Sequence, residues 1–178
     1  MTLSILICTL QDRKSLLTNL LEMIGEHKDV EVLIDSRPRS VPTGTKRNDL
    51  ISLASGKYFV FIDDDDYVTD TYVTHILKAS EYHPDVITFE GWMTSDGKNR
   101  VNWIIELGEK YEERGGIYYR FPNHLCPMKK ELVEHVKFPD IWQGEDYIWA
   151  KQINDEELLK STVHIPEQLY HYNYMSQK

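Results

Sequence analysis

Four aspartates stand side by side in YFVFIDDDDYVTD, residues 58–70, directly after a run of apolar and aromatic residues. Two like charges ~4 Å apart repel by about 4 kcal/mol at an effective dielectric near 20, so Asp63, Asp64, Asp65 and Asp66 need compensation. Water supplies it on an exposed turn. A divalent cation supplies it at a site, because carboxylates are the hard oxygen ligands that suit Mg²⁺ or Mn²⁺. The strand before the aspartates is too apolar to end there by accident, which favours a ligand site. A second acidic pair, Glu145 and Asp146, opens an expected helix in EDYIWAKQI, where carboxylates also favour the helix dipole. Lys46 and Arg47 begin another expected helix, where cations oppose the dipole and so point to an anionic ligand.

The elements that must hold these groups can be read from the apolar pattern. LSILICTL is a continuous apolar run, the mark of a strand covered on both faces. In DRKSLLTNLLEMIGEH, Leu16, Leu17, Leu20, Leu21 and Ile24 repeat at helical spacing, with Asp12 as N-cap and Gly25 near the end. VEVLID is a second strand, SRPRSVPTGT a loop, KRNDLISLA a short helix closed by Gly56, and KYFVFI a third strand. This β-α-β-α-β order predicts a Rossmann-related α/β fold, a mostly parallel sheet flanked by helices, with ligands at the carboxyl ends of the strands. The aspartates lie at such an end. DTYVTHILKASEYH then reads as a helix and DVITFEG and VNWIIEL as strands around the turn SDGKN. The pattern loosens over GEKYEERGGIYYRFPNHLCP, which suggests a mobile or ligand-covering segment. Short helices are expected in KKELVEHV and EDYIWAKQI, and the tail STVHIPEQLYHYNYMSQK carries no assigned element.

Bulk properties narrow the partners. A chain of 178 residues has the length of one domain with one core. Its formal net charge of −9 argues against a nucleic-acid backbone as the main partner. Cys8 and Cys126 lie far apart without metal-ligand spacing, which disfavours a disulfide framework or zinc site and fits a reducing, cytoplasmic setting. The start MTLSILICTL lacks the flanks of a signal peptide, and no apolar run approaches membrane-spanning length.

Three further chemistries place acids after a buried strand. A P-loop ATPase would match YFVFIDD, yet VPTGTKRND lacks the glycine before its lysine. A calcium loop needs a ligand and a turn glycine where Tyr67 and Val68 stand. A dehalogenase-like phosphatase wants strand-D-x-D-x-[TV], which Asp64, Asp66 and Val68 satisfy literally. Against it, Asp63 intervenes between strand and motif, and the strand follows two βα units instead of opening the domain.

Four ordered blocks, SILICTLQDR, EVLIDS, TKRNDLISLASGKYFVFIDDDD and NHLCPMKKELVEHVKFPDIWQGEDYIWAKQI, resemble family 2 of the nucleotide-sugar-dependent glycosyltransferases of GT-A fold. The resemblance spans most of the chain, with departures at Cys8, where members usually show proline, and beside Asp35, where a second acid is common. It implies a single GT-A-like domain over 1–178, with a nucleotide-binding half (1–66) and an acceptor and catalytic half (67–178). It implies transfer of a sugar, with inversion, from a nucleoside diphosphate donor, UDP-linked by expectation, to a saccharide or other hydroxyl acceptor, with Mn²⁺ or Mg²⁺ as cofactor. Thr9, Leu10, Arg13, Asp35, Lys46 and Arg47, with Asp63 and Asp64, would form the nucleotide site. Asp65 and Asp63 would serve the metal, Asp66 would support the cluster, and His171 resembles a C-terminal histidine that some GT-A enzymes return to the metal. Asp146 would be the catalytic base, aided by Glu145. Trp142, near Gly144, and His124 have an ambiguous standing between packing and ligand contact. A domain of the same fold that binds nucleotide sugar or a partner protein without turnover is the alternative from a different class.

Overall fold

The computed structural model describes residues 1–175. Its first half follows the expected order: β1 (Leu3–Cys8), α1 (Lys14–Ile24), β2 (Val30–Asp35), α2 (Thr43–Leu53) and β3 (Tyr58–Phe61). β1 runs parallel to both β2 and β3, with Leu3 opposite Val30 on one side and Tyr58 on the other. Burial on both faces explains the unbroken apolar runs of β1 and β3. Gly25 ends α1 with φ +67, the left-handed conformation in which glycine meets no steric penalty. Asp12 does not cap α1; it lies in a 3₁₀ turn, Gln11–Arg13, and no side chain caps the helix.

The second half contains β4 (Tyr67–Val68), α3 (Tyr72–Ser80), β5 (Val86–Ser95), β6 (Lys98–Ile105), β7 (Glu112–Arg114), β8 (Ile117–Arg120), β9 (Met128–Lys129), α4 (Lys130–Val133), α5 (Glu145–Asp155) and β10 (Thr162–Tyr174). These join the first half in one sheet of order β2-β1-β3-β9-β5-β6-β8-β7, with β10 parallel to β5 and antiparallel to β4. The parallel pairs β1–β2, β1–β3, β5–β10 and β6–β8 alternate with antiparallel hairpins and crossings. Helices flank this sheet, and the α/β class holds.

Three elements differ from expectation. The tail forms β10, a strand of 13 residues whose register against β5 shifts on either side of Gln168. The segment expected to be mobile holds a β7–β8 hairpin, whose loop of Gly115 (φ +60) and Gly116 (φ +80) supplies the two positive dihedrals of a type I′ turn. The helix expected over KKELVEHV is a single turn. The core between sheet and helices is aromatic: Trp149 of α5 stacks on Phe138 at 4.5 Å, and Tyr72, Phe89, Trp103 and Tyr170 meet edge-on or tilted behind β5 and β10.

Candidate active site

The tetrad occupies the turn after β3, closed where Asp66 N–H donates to Asp63 O at 3.1 Å. Its charges are tolerated because each carboxylate has a donor or cation beside it, with Arg13 serving both Asp64 and Asp65. Asp64 accepts from Thr9 Oγ1 and from Arg13, both at 2.6 Å. Asp66 accepts from the Tyr170 hydroxyl at 2.7 Å and from Asn173 N–H at 2.8 Å, both on β10. Asp63 accepts from Arg47 at 3.1 Å. Asp65 lies 3.7 Å from the second Arg13 nitrogen. The environments pull the acids apart. Burial pushes Asp63 up, yet Arg47 and His124 outweigh it and hold the carboxyl well below the usual range. Burial, aided by Asp63, raises Asp66 well above that range, and burial also raises Asp64 despite Thr9 and Arg13.

Helix α2 links this turn to the start of α5. Arg47, 4% exposed, donates through Nε to Glu145 Oε1 at 3.2 Å as well as to Asp63, and its guanidinium lies 4.7 Å over the Phe61 ring. Asn48 exchanges two hydrogen bonds of 2.9 Å with the backbone of Phe138. Gly44 passes so close to Pro139 that a Cβ would fall 1.9 Å from its carbonyl oxygen. Together these contacts dock the segment before α5 and set its first residues against the aspartates. Burial raises Glu145 above its ordinary value, with Arg47 opposing. Asp146, the next residue, places its Oδ2 3.5 Å from His124 Nδ1.

A cleft of about 760 Å³ opens along this line, walled by Thr9, Leu10, Arg13, Lys46, Arg47, Asp63, Asp64, Asp65 and Glu145. Nine of the residues singled out from sequence therefore meet in one place. Lys46 reaches from α2 to the carbonyl of Thr9 at 3.1 Å and to that of Arg37 at 2.5 Å, tying the loop after β2 to the cleft. Three candidates lie elsewhere. Asp35 is bound by Arg37, with contacts of 2.5–3.1 Å, and borders a separate groove with Ile34 and Asp49. Asp146 is not among the residues that wall this cleft; its carboxylate, 40% exposed, lies beside His124. His171 is stacked between Trp92 (5.0 Å) and Tyr67 (5.3 Å), and its Nε2 shares a 2.8 Å hydrogen bond with Thr94.

The sequence reading missed Tyr170 and Asn173, which hold Asp66, and Arg39, Val41 and Gln143, which complete the cleft wall. No local pattern marks them, since all sit in stretches read as loop or tail. Trp142 proves to be 62% exposed at the cleft mouth, its indole N–H donating to Arg39 O at 3.2 Å. Cys8 also lines the wall, but burial pushes its thiol up to about 12, so it stays a neutral surface and not a nucleophile.

Among known families, residues 15–142 match glycosyl transferase family 2, well over half of the chain. The chain belongs to glycosyl transferase family 2. An uncharacterized glycosyltransferase of Methanocaldococcus jannaschii is 25% identical over 145 residues, which is 76% of this chain and 50% of that protein. Residues 1–349 of S. aureus TarS in complex with UDP-GlcNAc give a TM-score of 0.74 at 14% identity, over 100% of this chain and 60% of theirs. The same protein in complex with UDP gives 0.73 at 14%, over 97% and 60%. At that identity the likeness concerns the fold, which is GT-A-like. This family 2 chain thus spans half the length of the curated relative and three fifths of the TarS fragment.

The donor chemistry of the site suits a divalent cation. Among the described residues no three His, Cys, Asp or Glu side chains converge as a ready cage. Mg²⁺, however, is ordinarily held by one or two carboxylates with substrate phosphates and water completing its shell. Asp63, Asp64 and Asp65 bring hard carboxylate oxygens to the cleft, whereas Asp66 is turned to Tyr170 and Asn173 on β10. Also among the described residues, no helix is long and apolar enough to cross a membrane.

Proposed function

We propose that this protein is a metal-dependent, inverting glycosyltransferase that moves a sugar from a nucleoside diphosphate donor, UDP-linked, to a hydroxyl acceptor. The observation that carries the reading is the single cleft in which Arg13, Lys46 and Arg47 face Asp63 and Asp65 while Glu145, opening α5, closes the wall. Residues 1–66 serve as the nucleotide half and 67–178 as the acceptor and catalytic half. Thr9 and Leu10 border the nucleoside, with Asp35 acting at one remove through Arg37. Asp65, with Asp63 beside it, would hold Mn²⁺ or Mg²⁺. Such a cation supplies charge stabilisation for the departing diphosphate. Asp146 accepts the acceptor's proton as the hydroxyl attacks the anomeric carbon, and a single direct displacement of this kind inverts the configuration. Glu145 steadies that end of α5 through Arg47. His171 is left out of the ligand set because its ring is occupied by Trp92, Tyr67 and Thr94.

The phosphatase alternative requires Asp64 as a nucleophile, but both of its oxygens are engaged by Thr9 and Arg13. The deciding experiment is thermal unfolding with UDP, with and without Mn²⁺, followed by UDP release from UDP-linked hexoses. Ligand that binds the folded state raises apparent stability by RT ln(1 + [L]/Kd). UDP should stabilise far more with Mn²⁺ than without, Asp65→Asn should abolish the difference, and UDP should be released. Equal stabilisation with and without metal contradicts the clamp. Binding without release on any donor or acceptor tried favours a binding domain without turnover.

A further inference from the structure

His124 is 7% exposed, and neither of its ring nitrogens has a hydrogen-bond partner. Nε2 stands 3.7 Å from Asp63 Oδ2 and Nδ1 stands 3.5 Å from Asp146 Oδ2, both longer than a hydrogen bond. The ring is put there by its backbone. Phe61 N–H donates to His124 O at 3.0 Å, Leu125 N–H donates to Asn123 Oδ1 at 3.0 Å, and Cys126 N–H donates to Asn123 O at 2.9 Å. Leaving a buried polar group without a partner is unfavourable, so packing alone would select an apolar ring at this point of the loop.

The contacts form a circuit. From Glu145 they pass to Arg47, to Asp63, to His124 and to Asp146, which is the next residue in the chain after Glu145. Without His124 the Asp146 side chain, 40% exposed on the first turn of α5, would be free to turn toward solvent or its own helix terminus. We infer, resting on the transfer reaction proposed above, that His124 is the positioning residue for the base Asp146. It holds that carboxylate toward the acceptor and fixes it relative to Asp63 on the donor side. His124 acts through Asp146 and touches no reacting atom.

The test compares His124→Phe, Asp146→Asn and the double variant for Mn²⁺-dependent UDP binding, and for kcat and donor KM of UDP release from UDP-linked hexoses. His124→Phe should keep UDP affinity and donor KM within about 3-fold while kcat falls about 10–10²-fold. The double variant should be no slower than Asp146→Asn alone, because residues acting as a unit are non-additive. His124→Gln, which keeps one donor, should recover part of kcat. If the phenylalanine variant does not fold, His124→Ala takes its place in the same cycle with the same expectations. Unchanged kcat, a raised KM with unchanged kcat, or losses that multiply in the double variant each overturn the inference while leaving the transfer reading intact. A wild type that releases no UDP removes the transfer reading and this inference together.

Discussion

Replacing Arg47 with methionine removes a guanidinium that binds both Asp63 and Glu145 while retaining a long apolar stem. Arg47 is buried, Asp63 is 30% exposed at its side chain, and Glu145 is 6% exposed at its own. Breaking a buried ionic contact by deleting one partner costs about 3–5 kcal/mol, because the remaining charge stays uncompensated. The lost guanidinium contact with Phe61 at 4.7 Å adds about 0.5–1 kcal/mol. The variant should therefore lose roughly 4 kcal/mol, a large share of the ~5–15 kcal/mol that holds a domain together. The loss should depend on pH. Asp63 titrates below its unfolded value in the native protein, so its contribution is present above that value and disappears as pH falls through the folded one. Without Arg47 both carboxyls rise in the folded state, which then binds protons more readily than the unfolded chain and loses stability as pH increases. The gap between wild type and variant is thus widest near about pH 7 and narrows toward about pH 4.5. Urea unfolding at both pH values measures it. Adding Glu145→Gln to Arg47→Met should recover at least about 1 kcal/mol at neutral pH. A loss under about 1 kcal/mol, or a gap that does not change with pH, would falsify the account of Arg47 as the neutralising hub.

Tyr170→Phe removes the hydroxyl that donates to Asp66 at 2.7 Å, and urea unfolding should show a loss of about 1–3 kcal/mol, the cost of leaving a buried acceptor without its donor; a neutral result would mean that β10 does not hold the turn. Gly44→Ala forces a Cβ to 1.9 Å from Pro139 O, so unfolding should reveal a loss of more than about 2 kcal/mol together with weakened UDP binding, because α2 and the segment before α5 must separate. Asp146→Asn keeps size and capping capacity. It should retain stability and Mn²⁺-dependent UDP binding while turnover falls about 10²–10⁴-fold, and a loss of stability instead would make Asp146 a structural residue.

The chain's own pattern was enough to order its first half. Long apolar runs can be buried only as doubly covered strands, so β1, β2 and β3 were legible, and with them the end of the sheet where the aspartates emerge. The acids and cations that meet in the cleft were legible too, because clusters such as DDDD and KRN are too unfavourable in isolation to be neutral decoration. What each aspartate does was decided by tertiary structure. Asp66 is held by Tyr170, 104 residues later, on a strand whose shifted register and mixed polarity gave no two-residue alternation to read. Asp35 was diverted by Arg37, two residues away, because the loop after β2 folds back on its own strand end. His171 was drawn into an aromatic stack by β4 and β5, neighbours that only the sheet order supplies. His124 came to lie between Asp63 and Asp146 because β3 binds its carbonyl while α2 docks the segment that opens α5. Local sequence sets periodicity and charge; which charges face one another depends on contacts many residues apart, whose register no short window contains.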